Sequence, residues 1–176
     1  MTDEILEMIK DAAEKAGDII LSAEDLRDAD ISEKSGHANF VTTYDVKVQS
    51  YLRSRLSEII PDASFFGEEG DDSVSREKIT SGICFIADPI DGTTNFIMGA
   101  RRSAVSIAVA ELGEVTAGVI YDPYAKEMYS AMKGKGAYLN GRRIRTRERE
   151  LSGCVYMFGT SPYYDEIQDK SWKVAL

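Results

Sequence analysis

The chain has 176 residues, 43% of them hydrophobic, and its 30 Asp and Glu outweigh 21 Lys and Arg to give a formal net charge of -9. That size can bury a core in one domain with a piece of a second, and the acidic balance argues against a broad face that reads nucleic-acid phosphates by charge. Two cysteines in apolar runs read as buried free thiols, and with neither a basic-then-apolar leader nor a long apolar span the expected setting is the cytoplasm, away from membranes.

Ile5, Met8, Ile9, Ala12, Ala13, Ala16, Ile19 and Ile20 recur at helical spacing, so an amphipathic helix is expected from Thr2, its N-cap, to about Ser22. Glu24 to Asn39 is polar and patternless and reads as a loop. Val41-Thr-Thr43 opens a second helix with Val48, Tyr51, Leu52, Leu56 and Ile59 on one side, ended by Pro61. A short apolar run, Ala63 to Phe66, leads into Gly67-Glu-Glu-Gly70, and after a polar loop a strand is expected over Ile83 to Ala87.

Beyond Asn95 the pattern alternates. Ser103 to Leu112, Val115 to Tyr121, Glu127 to Met132 and Ala137 to Leu139 predict an antiparallel meander, and Asn140-Gly141 predicts a hairpin into Arg142-Arg-Ile144. Val155 to Phe158 reads as a further strand, and Ser161-Pro162 as the start of a helix still running at Leu176. The expected division is an N-terminal α+β domain over 1–148 and, over 149–176, the first strand and helix of an incomplete C-terminal α/β domain.

Two acidic clusters follow buried-strand patterns: Gly67-Glu68-Glu69 and Asp88-Pro-Ile-Asp91. Carboxylates there are costly unless a cation or dense hydrogen bonding takes up their charge. Pro89 biases Asp88 toward extended backbone and lacks an amide hydrogen, and a turn after it can aim the Ile90 carbonyl inward. Two aspartates, a carbonyl and a glutamate from the neighbouring strand form an all-oxygen set suited to Mg²⁺ rather than zinc. Gly92-Thr-Thr-Asn95 offers small residues and free amides to an anion at a helix start. Metal ions beside such amides are the parts needed for attack of water on a phosphate ester. Thr93 can align that water if a carboxylate orients its hydroxyl, and Asp45 is the candidate.

At these residues the chain resembles the inositol monophosphatase family of Mg²⁺-dependent, lithium-sensitive phosphatases. The signature DPIDGTTNF stands unbroken at Asp88 to Phe96, preceded by Lys34 in a loop, Val41-Thr42 with Asp45, and Gly67-Glu68-Glu69. The meander segments Ser103 to Ala108, Gly118 to Pro123 and Gly134 to Gly141 also look like the family. The resemblance implies a layered α+β sandwich with two helices on a largely antiparallel sheet. It implies two or three Mg²⁺ ions, the first on Glu68, Asp88 and the Ile90 carbonyl and the second on Asp88 and Asp91, with Glu68 also facing a third. It implies Asp45, Thr93 and Glu68 as the catalytic group, the Gly92 and Thr93 amides as phosphate holders, and Lys34 and Glu69 as further loop candidates. A small phosphorylated substrate and a possible homodimer come with it. Thr94-Asn95-Phe96 favours the inositol branch over a nucleotide branch that typically carries Lys-Glu-Phe. The sister alternatives are fructose 1,6-bisphosphate, NADP and 3'-phosphoadenosine 5'-phosphate.

The family continues past Leu176 with a second α/β layer and a Trp-Asp element that Ser171-Trp172-Lys173 does not match. A truncated member is therefore expected, with a non-catalytic metal- or phosphosugar-binding module as the alternative of a different class. Lys133-Gly-Lys-Gly136 lacks P-loop spacing and reads as a hairpin turn. His37 reads as a solvated side chain, and Arg142 to Arg149, interrupted by Glu148, as a solvated connector. Arg101 and Arg102 border either the site or an intersubunit surface.

Overall fold

The structure, a computed structural model, describes residues 1–23, 31–33, 40–69, 79–146 and 150–153. Helix α1 spans Asp3–Leu21, capped by the Thr2 hydroxyl, which accepts the Ile5 amide, and carrying Asp3 and Glu4 in its first turn where the helix dipole favours them. Strands β1 (Ile31–Glu33) and β2 (Phe40–Thr42) pair antiparallel, so part of the expected loop is a small ribbon. Helix α2 covers Thr43–Ile59 and begins at a reciprocal cap rather than at Val41: Thr42 is the N-cap and Asp45 answers it from the first turn.

Seven further strands make one sheet in the order β3 (Ser64–Gly67), β4 (Ile83–Asp91), β5 (Ala104–Glu111), β6 (Glu114–Asp122), β7 (Glu127–Met132), β8 (Gly136–Leu139) and β9 (Arg142–Ile144). Only β3 and β4 run parallel; the rest is the predicted meander. Asn140 and Gly141 both hold positive φ, 48° and 76°, as a tight hairpin between twisted strands demands. The short helix α3, Thr93–Ile97, leaves the end of β4.

Helices α1 and α2 pack on each other and on one face of the sheet, α1 over β5 and β6, α2 over β3 and β4. Ile9, Ala12, Ala13, Ala16 and Ile20 of α1 and Val48, Leu52 and Leu56 of α2 close over Phe85, Ile107, Val109 and Val119. Each large apolar side chain so buried contributes about 1.5–3 kcal/mol, which makes this layer the rigid frame behind the acids. The α+β class and the two-helices-on-a-sheet arrangement agree with expectation. Among the described residues no helix is long and apolar enough to cross a membrane, and Cys84 is a buried free thiol. Lys34, His37, Cys154, the strand expected at 155–158, the helix expected from Ser161 and the segment around Trp172 lie outside the described residues, so 149–176 contributes here only a 3-10 turn at Leu151–Gly153.

The principal difference from expectation is at β4. The strand does not stop at Ala87 but runs on through Asp91. Its pairing with β5 slips between Asp88↔Ser106 and Asp91↔Ala104, three steps along β4 against two along β5, which inserts one extra residue into β4. Pro89 explains the position, because it has no amide to donate to the ladder and such residues are tolerated inside sheets at bulges. Asp88-Pro-Ile-Asp91 is a bulge within a strand rather than a turn after one.

Candidate active site

The second helix supplies the first element. Asp45 is 1% exposed, and a carboxylate so buried needs a partner on every face. Its Oδ2 accepts the Thr42 amide at 2.8 Å and the Thr42 hydroxyl at 2.5 Å, closing the helix cap, while Oδ1 accepts the Thr93 hydroxyl at 3.0 Å. The Thr93 hydroxyl also lies 3.1 Å from the Ile90 carbonyl oxygen. A hydroxyl has one hydrogen and two acceptor lone pairs. A hydrogen given to Asp45 leaves the oxygen's lone pairs to accept from a further donor such as water. The expected Asp45 and Thr93 pair is present.

The bulge supplies the second element. Phe66↔Ile86 and Gly67↔Ala87 set the parallel register, and the Glu68 amide donates to the Ala87 carbonyl at 3.2 Å, so Glu68 leaves β3 alongside Asp88. Asp88 is partly buried and its Oδ1 accepts the Ile90 amide at 3.1 Å. Burial first, then the Glu68 carboxylate and to a lesser degree Asp91, push the Asp88 carboxyl from an ordinary 3.8 to about 8. Glu68 and Asp91 themselves are exposed.

This crowding of acid oxygens is the condition that a cation relieves. Among the described residues no three His, Cys, Asp or Glu side chains form a metal-holding group by themselves. Glu68, Asp88, Asp91 and the Ile90 carbonyl offer only oxygen donors, the kind that a small hard cation takes alongside water. The donor set fits such an ion and does not fit zinc.

Gly92 and Thr93 start α3, Gly92 as N-cap at φ 92°, and the Phe96 amide donates to the Gly92 carbonyl at 3.0 Å. The first amides of the turn have no acceptor within the helix. A Cβ on Gly92 would sit 3.0 Å from the Arg102 carbonyl oxygen, which itself accepts the Asn95 side-chain amide at 2.9 Å. Phe96 anchors the turn in the core with its ring edge-on to Tyr44 at 5.8 Å. Arg101 and Arg102 share with Asp91, Gly92, Ser103 and Asp122 the lining of an open depression of about 580 Å³.

One residue was not anticipated from the sequence. Gln49, one turn after Asp45 on the same buried face of α2, donates Nε2 to the Glu69 carbonyl at 2.6 Å and accepts the Glu69 amide on Oε1 at 2.9 Å. A polar residue inside the stripe Asp45, Val48, Gln49, Leu52, Leu56 was the available signal. Of the two loop candidates, Glu69 is held by this pair, and Lys34 lies outside the described residues.

Comparison with known proteins identifies the family. A family model described as the inositol monophosphatase family matches residues 1–169. Inositol monophosphatase 1 of Rattus norvegicus is 40% identical over 139 residues, covering 78% of this chain and 50% of that protein. An inositol-1-monophosphatase of Rhizobium meliloti is 39% identical over 127 residues, 71% of this chain and 46% of that one. The crystal structure of extragenic suppressor protein suhB from Bartonella henselae superposes with a TM-score of 0.74 at 35% identity, over 84% of this chain and 56% of that one. The chain spans about half the length of the curated relatives it matches.

Proposed function

This chain belongs to the inositol monophosphatase family, and on that premise we propose that it hydrolyses a small phosphate monoester with Mg²⁺ held by Glu68, Asp88, the Ile90 carbonyl and Asp91. The observation that carries this reading is the Thr93 hydroxyl, fixed between buried Asp45 and the Ile90 carbonyl at the edge of an acid-lined bulge. Magnesium, when bound, supplies charge neutralisation for the phosphoryl oxygens and makes water a better nucleophile.

The protein's own part is positioning. Asp45 accepts the Thr93 hydrogen in a hydrogen bond, so Thr93 presents lone pairs that accept a hydrogen bond from the attacking water and hold it in line. The amides of Gly92 and Thr93 face the substrate phosphate, and the bulge keeps Asp88 and Asp91 on the same side of the sheet edge as Glu68. The Asp88 carboxyl, raised by burial and by Glu68, would have to be ionised to hold the cation.

Relatives named as inositol monophosphatases support inositol phosphate as the first substrate, with fructose 1,6-bisphosphate, NADP and 3'-phosphoadenosine 5'-phosphate as the competing esters. A panel of these four esters with Mg²⁺, read by phosphate release, tests the choice. Release from myo-inositol 1-phosphate ahead of the others is expected. Release only from a nucleotide would move the chain to the sister branch.

A further inference from the structure

We propose that Gln49 is a positioning residue whose carboxamide grips both backbone groups of Glu69 and thereby fixes the neighbouring Glu68 carboxylate for the cation. The proposal rests on the metal reading of the site given above.

Gln49 is 8% exposed and sits among Val48, Leu52 and Leu56 on the core face of α2. An amide at such a place is costly unless its donor and acceptor are both used, and both go to one residue twenty positions away, Nε2 to the Glu69 carbonyl and Oε1 from the Glu69 amide. The side chain thus behaves like one residue of an added strand.

The backbone opposite it is shaped to match. Gly67 is buried, and a Cβ there would lie 2.2 Å from the Gln49 Oε1, closer than any side chain tolerates, so the carboxamide crosses directly over Gly67 on its way to Glu69. Glu68 lies between those two contact points. Its own amide is tied to the Ala87 carbonyl of β4 at 3.2 Å. The β3 ladder ends at Gly67↔Ala87, and the segment beyond it is held from the helix side by Gln49. The carboxylate that shares charge with Asp88 therefore projects from a backbone secured on two sides. Gln49 is also one helical turn from Asp45, so a single helix face sets both the Thr93 orienter and the Glu68 backbone. Only a carboxamide supplies a donor and an acceptor in this planar fork; a methionine has the same reach with neither.

The test uses the full chain and Mg²⁺ alone, titrated calorimetrically into wild type, Gln49→Met and Leu52→Ala, with a thermal melt of each in metal-free buffer. Groups that orient metal ligands typically carry about ten- to hundredfold in affinity. Gln49→Met is expected to weaken Mg²⁺ binding by that factor while still melting cooperatively. Leu52→Ala, a core cavity that removes no polar contact to Glu69, is expected to lower the melting temperature and keep the wild-type Kd. A Gln49→Met variant that behaves like Leu52→Ala, less stable with unchanged Kd, overturns the proposal. Should Gln49→Met fail to fold, Gln49→Asn, too short to reach both groups of Glu69, is read by the same criterion. A wild-type chain that binds no Mg²⁺ would overturn the metal reading itself, an outcome distinct from equal binding by wild type and variant.

Discussion

The carboxylate of Asp45 accepts the hydroxyl of Thr93 at 3.0 Å across 48 positions of sequence. Its other oxygen closes the cap of α2 through Thr42. One buried acid therefore links the start of a helix to the residue that would hold water, and stability and chemistry share a side chain.

That division separates two threonines experimentally. Thr42→Ala removes a cap and is expected to cost about 0.5–2 kcal/mol of stability, read by chemical denaturation, with turnover largely kept. Thr93→Ala leaves the buried Asp45 Oδ1 without its partner, so it too is expected to lose stability, by about 1–3 kcal/mol, but it alone is expected to lower kcat by about a hundredfold or more, with KM little changed, because it also loosens the water. Equal losses of kcat in both variants would remove the distinction.

A second expectation concerns pH. The Asp88 carboxyl is raised from 3.8 to about 8, by burial first and then by Glu68. The native metal-free chain therefore holds a proton that the unfolded chain has lost across that window. The contribution is fully present below about 3.8, and stability should fall as pH rises from there to about 8. Saturating Mg²⁺ should flatten the decline, and Asp88→Asn should abolish its Asp88 share. Urea midpoints across the range, with and without Mg²⁺, measure this. A stability that rises through the window and ignores both Mg²⁺ and Asp88→Asn would contradict the charge crowding described.

Gly67 carries a steric expectation. Gly67→Ala would place its Cβ 2.2 Å from Gln49 Oε1, an overpacking that typically costs about 1–3 kcal/mol. Because the two tightest contacts are both with the Gln49 carboxamide, the double variant Gly67→Ala with Gln49→Ala should recover part of it, a coupling of about 0.5–3 kcal/mol in a double-mutant cycle. Strictly additive losses would show that the strain lies elsewhere.

Much of this arrangement was legible from residue patterns. The helical period of Ile5 to Ile20 and the alternation from Ser103 onward gave α1 and the meander, because each buries one clean face. β1 was missed because Ile31-Ser-Glu33 offers a single apolar residue, too few to show alternation. β4 was cut short because Asp, Pro and Asp argue against a strand one residue at a time. Only its neighbour β5 makes a bulge of them. Glu68, Asp88 and Asp91 were identifiable by type, and Asp45 was identifiable as the acid to pair with Thr93, although the 3.0 Å contact itself is made by packing across 48 positions. Gln49 was hidden because its partner is a backbone.

Cys84 gives a simple check of the core. It is fully buried, and burial pushes its thiol up from the ordinary value, so little thiolate exists to react. A pulse of iodoacetamide at neutral pH followed by peptide mapping should leave Cys84 unlabelled in native buffer and labelled in guanidinium. Rapid native labelling would place it nearer the surface.

The most direct measurement is phosphate release from myo-inositol 1-phosphate by the full chain, with and without Mg²⁺, for wild type and Asp91→Asn. The predicted result is release that requires Mg²⁺, is suppressed by Li⁺ and is lost in Asp91→Asn, whose melt stays cooperative. A folded wild-type chain that binds Mg²⁺ yet releases phosphate from none of the candidate esters would contradict a catalytic role for the bulge and leave it a binding site.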